Sequence, residues 1–173
     1  MLKKMLCLLI VMVGFSFGDT KYEIVKWVVD GDTIHTFQDK IRFSYIDAPE
    51  SKYNSRARKA AIVCNGATLD QMIRAGKKSN KHLRTLVTAG DKVKVITNTT
   101  DKYGRVVGEV FLNGESLNEE MVRSGFAIPY YKYNISSSEK RRFDILVKNA
   151  RTNQKGLWGS YPRVMKCLLE MYK

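Results

Sequence analysis

Histidine is nearly missing from this chain: His35 and His82 are the only two in 173 residues, and neither has a cysteine or second histidine at zinc-ligand spacing. That scarcity excludes a zinc site built from the usual nitrogen and sulfur donors and leaves acid–base work to carboxylates. Cysteine is as scarce, with three. A disulfide-dense scaffold is excluded, and what remains is to ask what Cys7, Cys64 and Cys167 do. Carboxylates are outnumbered, 17 Asp and Glu against 30 Lys and Arg. A net charge of +13 on so small a body points to a polyanionic partner, either nucleic acid or an anionic membrane surface. Internal repeats and low-complexity linkers are lacking too, so 173 residues with 44% hydrophobic content describe one domain with one core.

One sizeable apolar run stands out, at the very start. "MLKKMLCLLIVMVGFSFG" has two lysines, about ten apolar residues and then small residues, the layout of a secretory signal peptide. Cleavage is expected after Gly18, giving a signal over 1–18, a domain over 19–173 and a secreted or periplasmic protein. The alternative is a retained membrane anchor, although so short a run spans a bilayer poorly. Cleavage removes Lys3, Lys4 and Cys7, leaving a charge of 13 − 2 = +11 and two cysteines. Cys64 and Cys167 then form either one disulfide, favoured by an oxidising compartment, or two buried thiols.

Alternating aromatic and β-branched residues predict strands in "KYEIVKWVV", "DTIHTF" and "KIRFSYI", joined by turns at Asp30-Gly31 and near Gln38-Asp39. After a Lys-, Arg- and Ala-rich stretch over 51–89, read as one inserted helix, "DKVKVIT" and "RVVGEVFLNGES" return as strands four and five. Ser116-x-x-Glu119 and Ser136-x-x-Glu139 are capping boxes that open two closing helices. This order predicts an α+β fold: a five-stranded Greek-key barrel of the OB type with an inserted helix and C-terminal helices.

The segment "WVVDGDTIHTFQDKIRFSYIDAPES" places Asp30, Asp32, Arg42, Asp47 and Glu50 in one meander. Two carboxylates about 4 Å apart repel by roughly 4 kcal/mol at an effective dielectric of 20, so the cluster requires protons, arginines or a cation. Oxygen donors favour a hard cation, Ca²⁺ or Mg²⁺, and the EF-hand pattern is not met. On this reading, removing Asp32 or Asp47 relieves repulsion and leaves stability unchanged or raised.

"VVDGDTI", "IRFSYIDAPES", "DKYGR" and "NEEMVRSGFA", in this order, closely resemble the staphylococcal nuclease family over roughly residues 22 to 158. The resemblance implies a calcium site at Asp32, Asp47 and the Ala48 carbonyl, where threonine is common in the family in place of alanine. It also implies that Glu50 is the catalytic glutamate, with Arg42 and Arg105 the phosphate-binding arginines, and that DNA and RNA are cut to 3′-phosphate ends by what is expected to be a monomer. Chemically the set is coherent: guanidinium forks and a divalent cation neutralise charge growing on phosphorus, and a glutamate handles the attacking water. Lys102 and Tyr103, with Tyr131 and Tyr133 around Lys132, interleave stacking faces and positive charge for substrate. The alternative is a catalytically silent OB-fold module that binds nucleic acid by charge. The stretch from Tyr53 to Ser79 exceeds what a simple connection needs, and is either a basic helical hairpin or a disulfide-stapled insertion.

Overall fold

The computed structural model describes residues 19–64, 66–132 and 135–172, so the signal peptide read over 1–18 and the substrate role of Tyr133 lie outside the described residues. Strands β1 (Asp19–Asp30), β2 (Thr33–Thr36) and β3 (Lys40–Phe43) form the antiparallel meander. Strands β5 (Lys92–Thr100) and β6 (Val106–Leu112) follow β4 (Ile46–Asp47), which stands apart from this sheet. β1 pairs with β5 and β5 with β6, and β6 returns parallel to β3 through Ile41↔Val106 and Phe43↔Gly108. The five strands therefore close into a mixed barrel, and the α+β OB-type architecture is the one present. Alternation turns Val25, Ile34, Ile41, Phe43, Val93, Val95 and Val110 inward, all fully buried. Gly108 sits at the closure, where a Cβ would meet the Ile96 carbonyl oxygen at 2.6 Å.

The third predicted strand is broken rather than continuous. Tyr45 takes a positive φ of 63°, ending β3 and sending Ile46–Asp47 as β4 to pair with β8 (Ile128–Pro129). This break takes Asp47 out of the main sheet's ladder while its side chain still reaches Arg42 of β3. Turn residues Asn113 and Gly114 lead from β6 into the short β7 (Glu115–Ser116).

The single inserted helix is in fact two, α1 (Ser55–Val63) and α2 (Leu69–Leu86). Each has its own start: Asn54 accepts from Ala57 N, and Thr68 forms a full capping box with Gln71. Both closing helices are present, as α3 (Leu117–Arg123) and α4 (Ser137–Thr152), but two more follow, α5 (Leu157–Ser160) and α6 (Pro162–Met171). The Ser136–Glu139 box is complete, whereas Ser116 caps Glu119 N while the Glu119 carboxylate turns to Arg123 and Arg142. Asn118 of α3 is fully buried and joins layers: its Oδ1 accepts from Val110 N, and its Nδ2 donates to the Ser44 and Gly108 carbonyls. No helix among the described residues is long and apolar enough to cross a membrane.

Candidate active site

Thr33 on β2 lies opposite Arg42 on β3, so the hairpin register sets Asp32 beside the arginine. Arg42 donates from Nη1 to Asp32 Oδ2 and from Nη2 to Asp47 Oδ1, both at 2.6 Å, and all three side chains are buried. The structure thus brings together Asp32, Asp47 and Ala48, whose backbone N–H donates to Asp32 Oδ2 at 3.2 Å. It also corrects the expectation that the two carboxylates merely repel. A buried guanidinium already lies between them, so removing either one takes a carboxylate away from a buried cation as well as relieving an anion.

Arg56, on the first turn of α1, is a residue that the sequence reading missed. Its Nη2 lies 2.5 Å from Asp47 Oδ1 and 3.0 Å from the Tyr172 hydroxyl, and its Nη1 lies 3.2 Å from Glu50 Oε1. The other Glu50 oxygen accepts from Asn54 Nδ2 at 2.7 Å. One α1 cap residue and one α1 arginine therefore hold the glutamate from both sides. Behind it stands Gly76 of α2, where any Cβ would run into the Pro49 and Glu50 carbonyls. The signals for this support were the Asn54 cap and an arginine two residues on, neither of which distinguishes a site helix from any other.

Charge is concentrated here. Burial pushes the Asp30 carboxyl up to about 8, and the neighbouring Asp32 and Glu50 charges push the same way. Burial would also raise Asp32, but Arg42, Asp30 and Arg56 outweigh it and hold that carboxyl at about 2. Both arginines titrate above their ordinary range, because Asp32 and Asp47 facing Arg42, and Asp47 facing Arg56, outweigh the cost of burying them. Among the described residues no three His, Cys, Asp or Glu side chains form a ready ligand set. The donors present, two carboxylates and backbone oxygen, fit a hard cation that completes its shell with water or phosphate oxygen.

A cavity of about 640 Å³ opens on this cluster, with Arg42, Asp47, Ala48, Glu50 and Arg105 in its wall. Arg105 arrives from the β5–β6 loop, where Asp101 organises the turn by accepting from Tyr103 N and Arg105 N and takes the guanidinium at 2.7 and 2.8 Å. Burial works against the Asp101 charge, yet these hydrogen bonds and Arg105 lower its carboxyl below the ordinary value. Lys102 and Tyr103 line the same cavity, and the Tyr103 ring, 73% exposed, faces Lys102 and Arg105. Tyr131 departs from expectation. Its hydroxyl donates to Asp144 on α4, and the cavity wall takes Tyr130 and Lys132 instead, because β8 ends at Pro129 and successive side chains diverge.

Cys64 and Cys167 stand with Cα atoms 5.5 Å apart, a separation suited to a disulfide, across 103 residues of sequence. Their pairing sets α6 against α1, and Tyr172 just beyond α6 reaches Arg56.

Comparison with known proteins gives a consistent result. Residues 40–160 match the family described as Staphylococcal nuclease homologue. The chain is 36% identical over 163 residues to Endonuclease YhcR of Bacillus subtilis (strain 168), covering 88% of itself and 13% of that protein. It is 32% identical over 136 residues to an "Uncharacterized endonuclease" of Escherichia coli, covering 76% of itself and 72% of the relative. With the Staphylococcal-like nuclease CAN1 of Arabidopsis thaliana it shares 31% over 121 residues, 70% of itself and 30% of the relative. The chain thus corresponds to a small part of some relatives and to most of others.

Proposed function

The chain belongs to the staphylococcal nuclease family and is a nuclease hydrolase; on that premise we propose that it is an exported, Ca²⁺-dependent enzyme cutting DNA and RNA to 3′-phosphate ends. The observation that carries the proposal is the meeting of Arg42, Glu50 and Arg105 on one cavity, beside a buried Asp32–Asp47 pair. Relatives named as endonucleases favour an enzyme over the silent binding module. Export rests on the signal-like residues 1–18 and on the Cys64–Cys167 pairing.

Hydrolysis forms a bond from water oxygen to phosphorus and breaks the bond from phosphorus to the 5′-oxygen. Glu50, oriented by Asn54 and Arg56, accepts a proton from the water, and the departing 5′-oxygen takes one from solvent. Arg105, fixed by Asp101, and Arg42, fixed by the two aspartates, place positive charge where phosphate oxygens gain negative charge. Asp32, Asp47 and the Ala48 carbonyl would hold a divalent cation, which supplies further charge neutralisation to those oxygens. Tyr103 and Tyr130 provide stacking surface, with little means of reading base edges.

End-group analysis of digested oligonucleotides tests the product assignment. Fragments whose mobility shifts on phosphatase treatment and which block polymerase extension are expected. Extendable 3′-hydroxyl ends would overturn the assignment.

A further inference from the structure

The outward face of the sheet formed by β2, β1, β5 and β6 carries a feature the catalytic site does not use. Register alternation that turns Glu23, Val25, Val93 and Val95 inward turns Tyr22, Lys92 and Lys94 outward. Phe111, Lys94 and Tyr22 then form one cross-strand row, since Lys94 pairs with both neighbours. A bulge in β1 between Val25 and Trp27 lets consecutive residues Lys26 and Trp27 both face solvent. Trp27 stacks on His35 of β2 with ring centres 4.6 Å apart, and Lys26 Nζ lies 4.9 Å from the Trp27 ring and 5.6 Å from Phe37.

Each aromatic ring on this face has a lysine partner. Lys92 lies over Tyr22 and Lys94 over Phe111, while Lys40 pairs in register with His35. Tyr22 at 63%, Trp27 at 44% and Phe37 at 67% are among the most exposed large hydrophobic side chains described. Exposed rings cost stability in water, and here the lysines keep them apart rather than letting them collapse together. Asp39, the acid nearest Phe37 in sequence, is paired with Lys21. Among the described residues lining the catalytic cavity, none belongs to this face.

We propose that this sheet face is a second, non-catalytic binding surface for single-stranded nucleic acid. Rings that alternate with lysines across neighbouring strands match a single strand, whose unpaired bases stack on the rings while its phosphates meet the ammonium groups. A duplex keeps its bases stacked internally and offers the rings nothing. An anionic membrane needs a continuous apolar patch to insert, and the interleaved lysines interrupt one. The surface retains a long strand while the cavity, on the nuclease reading above, cuts it.

Binding is measured in chelator, without cleavage, so the result stands apart from the nuclease reading. The probes are a labelled oligothymidylate of about thirty nucleotides, longer than the roughly 4 to 16 that one barrel covers, and a tetranucleotide. Trp27→Ala/Phe37→Ala should lose about tenfold or more in affinity for the long probe, with unchanged tetranucleotide affinity and unchanged turnover of the short substrate in Ca²⁺. Trp27→Phe/Phe37→Tyr should restore the long-probe affinity. Lys94→Glu, far from the bulge, should weaken long-probe binding in the same selective way. Long-probe binding should quench Trp27, which is exposed, whereas Trp158 is buried. Unchanged long-probe affinity in both the double alanine and the Lys94→Glu variants would overturn the proposal. So would equal losses on both probes, which would place the effect in the cavity. Loss of binding to phosphatidylserine vesicles with oligonucleotide affinity intact would make the face a membrane surface instead.

Discussion

Arg42 donates one Nη to Asp32 and the other to Asp47, so a single buried guanidinium bridges both proposed metal ligands. Lysine has one ammonium and cannot span them, and Arg42→Lys is therefore expected to lower both melting temperature and turnover. Arg105→Lys is the cleaner test of phosphate chemistry, because Arg105 is partly exposed and its partner Asp101 also bonds backbone N–H groups. Turnover should fall by about a hundredfold or more with the melting temperature little changed, and a loss confined to substrate affinity would make Arg105 a ground-state anchor. For Asp32→Ala the expected cost is up to about 3–5 kcal/mol, since buried Arg42 loses one of its two carboxylate partners. The sign with pH follows from the depressed carboxyl. Its contribution is present above the ordinary value of 3.8 and is lost as pH falls through about 2. Chemical denaturation of both proteins across that window should show their difference shrinking towards acid, and a difference independent of pH would contradict the pairing. Asp32, Arg42, Asp47 and Glu50 were legible because one short segment carries all four. Arg56, Asp101 and Tyr172 were not, since their roles arise from contacts that sequence spacing does not encode.

The barrel strands were legible from period-two patterning, because one face of each is buried and the other wet. The break at Tyr45 was not, since "KIRFSYI" keeps its strand-like composition through the residue that turns. The division between α1 and α2 had a signal in Thr68 and Gln71, which sit too deep in a Lys- and Arg-rich stretch to stand out from its helical composition. Likewise α6 opens on Pro162 and buries Val164, Met165 and Leu168 at helical spacing, yet its ten residues follow the matched family segment and lie beyond the two capping boxes that marked the closing helices. These two additions meet at Cys64 and Cys167. A closed loop of about a hundred residues stabilises by up to ~4.7 kcal/mol in the chain-entropy model, so reduction should lower the melting temperature by up to about 10–20 °C. Activity should fall only partly, because α6 and its end supply Leu168, Met171 and Tyr172 to the cavity wall but none of Arg42, Glu50 and Arg105. Two alkylatable thiols in unreduced exported protein would rule the bond out.

At the scale of the whole molecule, a chain with a net charge of +13 builds a cavity whose wall collects segments near residues 42–60, 100–105, 130–132 and 168–172. The excess charge draws in a polyanion, while Arg42 and Asp47 in the cavity wall, with Asp32 buried beside them, form the local pattern of charge on which the proposed cation and phosphate sites rest. Barrel closure through β3 and β6 holds Arg42 and the Arg105 loop on one rim, which makes the chemistry a property of the fold. Whether Glu50 and a hard cation together cut phosphodiester bonds decides between an enzyme and a silent binding module. Cleavage of a single-stranded oligonucleotide by purified wild-type and Glu50→Gln protein, in Ca²⁺ and in chelator, measures this in one assay. Rapid cleavage by the wild type in Ca²⁺, none in chelator, and a fall of about a hundredfold or more for Glu50→Gln are predicted. Cleavage that persists in chelator, or a Glu50→Gln protein as fast as the wild type, would contradict that joint role.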